Sequence, residues 1–332
     1  MKVTILGSGS WASGIAQVLA DNNHDVTMWG IEKSQIDDIS NNHMNSAFFE
    51  GVKLNENIKA TMDLSVVEGS DVVVLSVPTI AIESVCKQMA EHLTKKTIVV
   101  NTSKGFHPET NERMSQVIRE SVPEEKLSSV VSLIGPSHAE EVVLRMLTTI
   151  CAVSLNQDDA EFVQKNFSND YLRIYTGNDE VGSETGVAIK NAIAVASGVL
   201  SGLGYGDNTR AALITRGLAE MIRFGTFMGG RKETFMGLTG IGDLIVTCTS
   251  VHSRNFQAGY EIGKANDAQV YWDTNKKTCE GIRTAKVVHE IADANHISMP
   301  ITTEIYKVLY EGKEPKESAK DLMLRDLKAE QF

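Results

Sequence analysis

Only four cysteines occur in the 332 residues, and Cys86, Cys151, Cys248 and Cys279 are too scattered to form a CxxC pair. That spacing excludes a disulfide framework and a zinc ribbon; it fits a reducing compartment with four ordinary thiols, and no metal site is expected. Positive charge is also in short supply, with 32 Lys and Arg against 43 Asp and Glu, a formal net charge of −11. The summed field repels polyanions, which argues against non-specific binding of nucleic acid or an anionic membrane. An anionic substrate then needs locally gathered cations. No apolar run is expected to reach the roughly eighteen residues of a membrane span. Met1 to Leu6 leads directly into a glycine loop, leaving no room for a signal peptide, and Ala329-Glu330-Gln331-Phe332 is no peroxisomal or ER-retention signal. The expectation is a soluble, cytoplasmic protein. Internal repeats are missing too. What is present, 42% apolar and 23% charged residues over 332 positions, is the composition of a globular chain long enough for two cores.

Short β-branched runs fill the first half: Val3 to Leu6, Asp25 to Trp29, Val72 to Leu75, Thr97 to Val100 and Val130 to Ile134. They read as buried parallel strands. Helical stretches such as Trp11 to Ala20 and Ile80 to His92 alternate with them, which predicts an α/β doubly wound, Rossmann-like, mostly parallel sheet. Thr149 to Leu155 and Tyr171 to Tyr175 are expected to extend it. Beyond about Thr176 the pattern turns helical, in Glu184 to Leu200 and Arg210 to Phe224. The chain therefore divides into a dinucleotide-binding domain over residues 1–178 and an all-α substrate-binding and catalytic domain over 179–332. In the first long helix Ile189, Ile193, Ala196 and Leu200 form a buried stripe. Lys190 lies about 100° from it, stacked near Ala194, Ser197 and Ser201. Gly198, Gly202, Gly204 and Gly206 read as one tight or mobile connection, with Asp207 or Asn208 capping the next helix.

Gly7-Ser8-Gly9-Ser10-Trp11-Ala12 follows the first strand and opens the first helix, with Ala12 in the third glycine's place. Gly7 permits the turn, Gly9 lets backbone approach a pyrophosphate, and the helix N-terminus favours its charge. The second strand ends near Trp29, where the residue facing the adenosine ribose belongs. The nearest acid is Glu32, and no arginine adjoins it to receive a 2′-phosphate, so NAD is expected over NADP. A solvated helix-start residue fits Glu32 equally well.

Reducing a ketone builds negative charge on oxygen, which calls for a proton donor and for cations. Lys190 is the candidate donor, although a lysine snorkelling from a surface helix fits the same spacing. Ser103-Lys104-Gly105-Phe106 and Gly135-Pro136-Ser137-His138-Ala139 follow strands at the end where open α/β sheets bind ligands. Ser253-Arg254-Asn255 offers a hydroxyl, a guanidinium and an amide to a phosphate.

Taken in order, Gly7 to Trp11, Ser103 to Phe106, Gly135 to Ser137, Lys190-Asn191, Gly206 to Asn208, Ala211 to Glu220, Gly240 to Leu244, Thr247 to Ser250 and Ser253 to Asn255 resemble the signature blocks of the NAD(P)-dependent glycerol-3-phosphate dehydrogenase family. The resemblance implies hydride transfer between NAD(P)H and dihydroxyacetone phosphate, supplying sn-glycerol 3-phosphate for phospholipid synthesis, with Lys190 as general acid and base. It further implies substrate contacts from Lys104, Gly135, Ser137, Lys190, Asp243, Ser253, Arg254 and Asn255. Cofactor contacts would come from Ser10, Trp11, Lys104, Ala139, Arg254 and Glu280, and a homodimer follows by the same analogy. The chain departs from the family pattern at Ile31, where arginine is common, at His138 in place of phenylalanine, and at Leu147, where proline is common. A packing role is expected for His138. Two other readings compete: a related reductase with a Rossmann half and an α half, such as a ketopantoate reductase or a 6-phosphogluconate dehydrogenase, and a non-catalytic nucleotide sensor on the same fold.

Overall fold

Residues 1–274 and 279–330 are described by the computed structural model, in two compact units, Met1–Glu180 and Val181–Phe332. The first contains eight strands, β1 (Lys2–Leu6), β2 (Asp25–Trp29), β3 (Lys59–Thr61), β4 (Val72–Leu75), β5 (Thr97–Asn101), β6 (Leu127–Ile134), β7 (Thr148–Val153) and β8 (Leu172–Gly177). They form one sheet in the order β3-β2-β1-β4-β5-β6-β7-β8. Every pairing is parallel except β6 with β7. The first six strands thus follow the doubly wound dinucleotide order, and the strand order reverses beside β1, where such sheets bind ligands.

Six helices accompany the sheet: α1 (Ser10–Asp21), α2 (Lys33–Asn42), α3 (Ile82–His92), α4 (Met114–Ser121), α5 (Ala139–Val142) and α6 (Gln157–Phe167). On one face Ile15 and Leu19 of α1, Val142 of α5 and Phe167 of α6 share a core with Ile5, Val74 and Val100. On the other, Met89 of α3 and Ile118 of α4 pack on Val73 and Val99. Covered on both sides, β4 is the uninterrupted Val-Val-Val-Leu, buried throughout. Strand β3 had no counterpart in the sequence reading. Its three residues, Lys-Ala-Thr, are exposed or half-buried and sit at the sheet edge, so neither an apolar run nor an alternation marks them.

From Glu180 onward the chain is helical: α7 (Glu180–Gly202), α8 (Asp207–Phe227), α9 (Lys232–Phe235), α10 (Asp243–Thr249), α11 (Arg254–Ala265), α12 (Gln269–Thr274), α13 (Glu280–Ala294), α14 (Pro300–Tyr310) and α15 (Pro315–Met323). Helix α7 is long and apolar enough to cross a membrane by length and composition, yet 83% of its most apolar window is buried inside the protein. The expected single stripe is therefore too narrow a description. Residues 182–199 of α7 are all buried, as in a helix at the centre of a core.

The glycine-rich connection also proves to be two different things. Gly198 and Gly202 lie within α7, against the main chain of α11. A Cβ on Gly198 would fall 2.0 Å from the carbonyl oxygen of Phe256, and one on Gly202 2.2 Å from that of Tyr260. Reciprocally, a Cβ on Gly259 would lie 2.0 Å from the Val195 oxygen and one on Gly263 2.1 Å from that of Val199. The two helices thus meet backbone to backbone. Only Gly204 and Gly206 belong to the connection, and Gly206, not Asp207 or Asn208, is the N-cap residue of α8.

Glu220 of α8 is buried, and its carboxylate accepts the backbone N–H of Ile301 (2.6 Å) and of Thr302 (3.1 Å) together with the Thr302 hydroxyl (3.0 Å). It therefore takes up the orphan donors of the first turn of α14. Arg223, one turn on, donates to the Ser298 carbonyl. Burial pushes the Glu220 carboxyl up to about 7, outweighing the donors and the nearby Arg223, which pull it down. A folded-state value above the ordinary 4.5 means that this group's contribution to stability is complete below about pH 4.5 and lost as pH rises through about 7. A shift of that size corresponds to about 3 kcal/mol. The expected result is that wild type loses stability relative to Glu220→Gln between pH 4.5 and 7.5, seen in denaturant melts across that range. Parallel pH profiles for the two proteins would show that the carboxyl does not titrate there.

Candidate active site

The glycine loop between β1 and α1 is shaped by contacts that admit no side chain. Gly7 sits at φ +130°, and a Cβ there would fall 2.3 Å from the carbonyl oxygen of Ser76 at the end of β4. Its N–H donates to Trp29 at the end of β2 (2.8 Å), so the loop is pinned where the strand order reverses. Gly9 is the N-cap residue of the twelve-residue α1 and supplies no side-chain cap, which leaves the helix N-terminus to backbone donors. Ala12 is buried, and Ser10 and Trp11 are half-buried. Such a loop fits a dinucleotide: a close backbone approach, a helix N-terminus and an apolar anchor. Glu32 is exposed at the N-cap of α2 without a side-chain capping bond, and its neighbour Ile31 is 72% exposed.

Three other predicted residues of this unit converge on one carbonyl. Lys104, beyond β5, donates from Nζ to the Gly135 oxygen (2.9 Å), and the Ser137 hydroxyl donates to the same oxygen (3.0 Å). Upstream, the Ser103 hydroxyl holds the Val77 carbonyl (2.8 Å). Ala139 is the first residue of α5 and is buried. His138 is the N-cap residue of that helix and half-buried, while Leu147 is 84% exposed.

In the second unit the lysine is not a surface group. Lys190 is 4% exposed. Its Nζ donates to Asp243 Oδ1 (2.5 Å) and to the Thr247 hydroxyl (2.7 Å), and that hydroxyl in turn donates to the Asp243 carbonyl (2.6 Å). Asp243 and Thr247 are four residues apart on α10 and so share a face. A π-type turn, Leu238–Gly242, leads into Asp243, the kind of helical irregularity found at functional sites. Burying an ammonium is costly unless a carboxylate and further hydrogen bonds compensate, and this triad provides both. Asp243, expected against the substrate, is occupied in holding Lys190. Thr247, which stood in a signature block with no role, completes the triad; its i+4 spacing from Asp243 is the signal that marks it.

The Ser253-Arg254-Asn255 block is likewise divided by the structure. Ser253 is buried and caps α11, its hydroxyl accepting the Phe256 N–H (3.2 Å). The Asn255 amide donates to Asn191 Oδ1 (2.8 Å) and accepts the Gly281 N–H (2.9 Å) and the Cys279 thiol (2.8 Å). It thereby joins α7, α11 and the start of α13. Arg254, between them, is exposed on the first turn of α11, and Glu280 opens α13 half-buried. Burial disfavours the thiolate form of all four cysteines, pushing Cys86 and Cys248 up to about 12 and Cys151 and Cys279 up to about 11.

Two family models match the chain, the NAD-dependent glycerol-3-phosphate dehydrogenase N-terminus over residues 2–160 and the C-terminus of the same family over residues 179–320. The chain belongs to the NAD-dependent glycerol-3-phosphate dehydrogenase family. A glycerol-3-phosphate dehydrogenase (NAD(P)+) of Listeria monocytogenes is 49% identical over 330 residues, covering 99% of this chain and 98% of that relative. One from Enterococcus faecalis is 48% identical, covering 99% and 97%. The crystal structure of a glycerol-3-phosphate dehydrogenase from Coxiella burnetii superposes with a TM-score of 0.89 at 31% identity, over 98% of this chain and 99% of that one. The C-terminal model begins at residue 179, next to the start of α7, so the glycerol-3-phosphate dehydrogenase resemblance spans the Lys190 triad as well as the glycine loop. A ketopantoate reductase or a 6-phosphogluconate dehydrogenase is accordingly not favoured.

Proposed function

We propose that this chain interconverts dihydroxyacetone phosphate and sn-glycerol 3-phosphate with NAD(P) as cofactor, Lys190 acting as general acid in reduction and as base in the reverse direction. The observation that carries the reading is the buried Lys190, aimed by Asp243 and Thr247. The nicotinamide, when bound, supplies the hydride. Lys190 gives a proton from Nζ to the ketone oxygen as charge develops there, and Asp243 keeps that ammonium charged and in place. Arg254 anchors the phosphate, with Ser253 and Asn255 shaping the turn that presents it. Lys104, Gly135 and Ser137 hold the rest of the substrate. Gly7, Gly9, Ser10, Trp11, Glu32, Lys104, Ala139, Arg254 and Glu280 contact the cofactor. The proposed setting is cytoplasmic, the product feeds phospholipid synthesis, and the assembly is a homodimer.

Loss of NADH absorbance on adding dihydroxyacetone phosphate tests the reading. Turnover is expected, and NADH binding without turnover would identify a nucleotide sensor instead. With Ile31 and Glu32 at the end of β2 and no arginine beside them, kcat/KM is expected to be higher with NADH than with NADPH; the opposite order would remove Glu32 from the ribose.

A further inference from the structure

Asn45 lies in the connection between α2 and β3, is completely buried, and reaches back to the glycine loop. Its Nδ2 donates to the carbonyl oxygen of Ser8 (2.9 Å) and to the Ser13 hydroxyl (2.8 Å). The Ser13 hydroxyl passes the constraint on, donating to the Gly9 carbonyl (3.1 Å), which also accepts the first intrahelical bond of α1 from the Ser13 N–H (3.1 Å). We propose that Asn45 is the positioning residue of the dinucleotide loop, turning two consecutive peptide groups so that the N–H groups of Gly9 and Ser10 face the cofactor's pyrophosphate.

The geometry follows from the planarity of the peptide bond. In a trans peptide the C=O and the next residue's N–H point in opposite directions, and the described chain has no cis bond. Drawing the Ser8 carbonyl toward Asn45 turns the Gly9 N–H away from it, and drawing the Gly9 carbonyl toward Ser13 does the same for the Ser10 N–H. The amide's orientation is unambiguous, because the reverse one would set Oδ1 against the Ser8 carbonyl, acceptor against acceptor. Asn45 Oδ1 is left buried with no hydrogen-bond partner. An apolar side chain would avoid that penalty, so the donor end is what requires an amide here. The arrangement spends two side-chain donors on carbonyls in order to aim backbone donors at an anion before the anion arrives, which is electrostatic preorganisation.

This inference rests on reading the glycine loop as the dinucleotide site, and the test separates the two. Isothermal titration of the full-length protein with NADH and with ADP-ribose is compared for wild type, Asn45→Ala and Ser13→Ala, beside Tm and beside kcat at saturating NADH. Asn45→Ala is expected to weaken both ligands by about tenfold or more, and Ser13→Ala, which loses the hydroxyl's bonds to Asn45 and to the Gly9 carbonyl but keeps the Asn45–Ser8 bond and the Ser13 N–H bond to Gly9, by less. At saturating NADH, kcat should stay near wild type, since Lys190 and its triad are untouched. Wild type that binds neither ligand would overturn the cofactor-site reading itself. Wild type that binds, with unchanged affinities in Asn45→Ala whatever its Tm, would overturn the role of Asn45. Should Asn45→Ala not fold, Ser13→Ala decides, and an unchanged ADP-ribose affinity there overturns the inference.

Discussion

Lys190→Ala is expected to lower kcat by roughly 10²–10⁴ while NADH binding stays nearly unchanged, because a proton donor acts in the transition state and not on the cofactor. The substitution has a second effect, set by burial. Asp243, 1% exposed, would lose the ammonium bonded to it at 2.5 Å. Stranding a buried charge in this way costs about 3–5 kcal/mol, so Tm should fall as well. Adding Asp243→Asn to Lys190→Ala removes the stranded charge and should recover much of that loss without restoring turnover. Stopped-flow turnover and thermal melts on the three proteins separate chemistry from folding. Retained kcat in the single variant would strip Lys190 of the donor role, whatever happened to its stability.

Arg254→Ala is expected to weaken substrate recognition by about 2–5 kcal/mol, seen as a fall in kcat/KM for dihydroxyacetone phosphate. The structure narrows this prediction to one side chain of its block. Ser253 is committed to capping α11 and Asn255 to joining three helices, whereas Arg254 is exposed on the first turn. Its removal should therefore cost stability little, within about 0.5 kcal/mol, and act almost wholly on the ligand. Replacing Asn255 should do the reverse, with Tm falling first. If kcat and KM in Arg254→Ala both match wild type, the phosphate is bound elsewhere.

What could be read from the sequence was local, and what could not depended on distant partners. The glycine loop was legible because a strand, a turn needing glycine and a helix start lie within a dozen consecutive residues. Asn45 was not, since its partners Ser8 and Ser13 are 37 and 32 positions away. Helical periodicity placed Lys190 beside a stripe but left it compatible with solvent. Its burial is decided by Asp243 and Thr247, 53 and 57 residues on, which no periodicity reports. The misreading of Gly198 and Gly202 has the same origin. Glycines crowded together look like a chain interruption, and only the facing carbonyls of α11 explain why a helix carries them.

At Gly198, Gly202, Gly259 and Gly263 the helices α7 and α11 touch main chain to main chain, with no room for a side chain at those positions. Lys190-Asn191 and Arg254-Asn255 ride on these two helices, and the Asn191–Asn255 bond at 2.8 Å ties them beside Lys190 and Arg254. At these four glycines the separation of the two helices is set by main-chain contact. A side chain added at any of the four would push the helices apart, and with them Lys190 and Arg254.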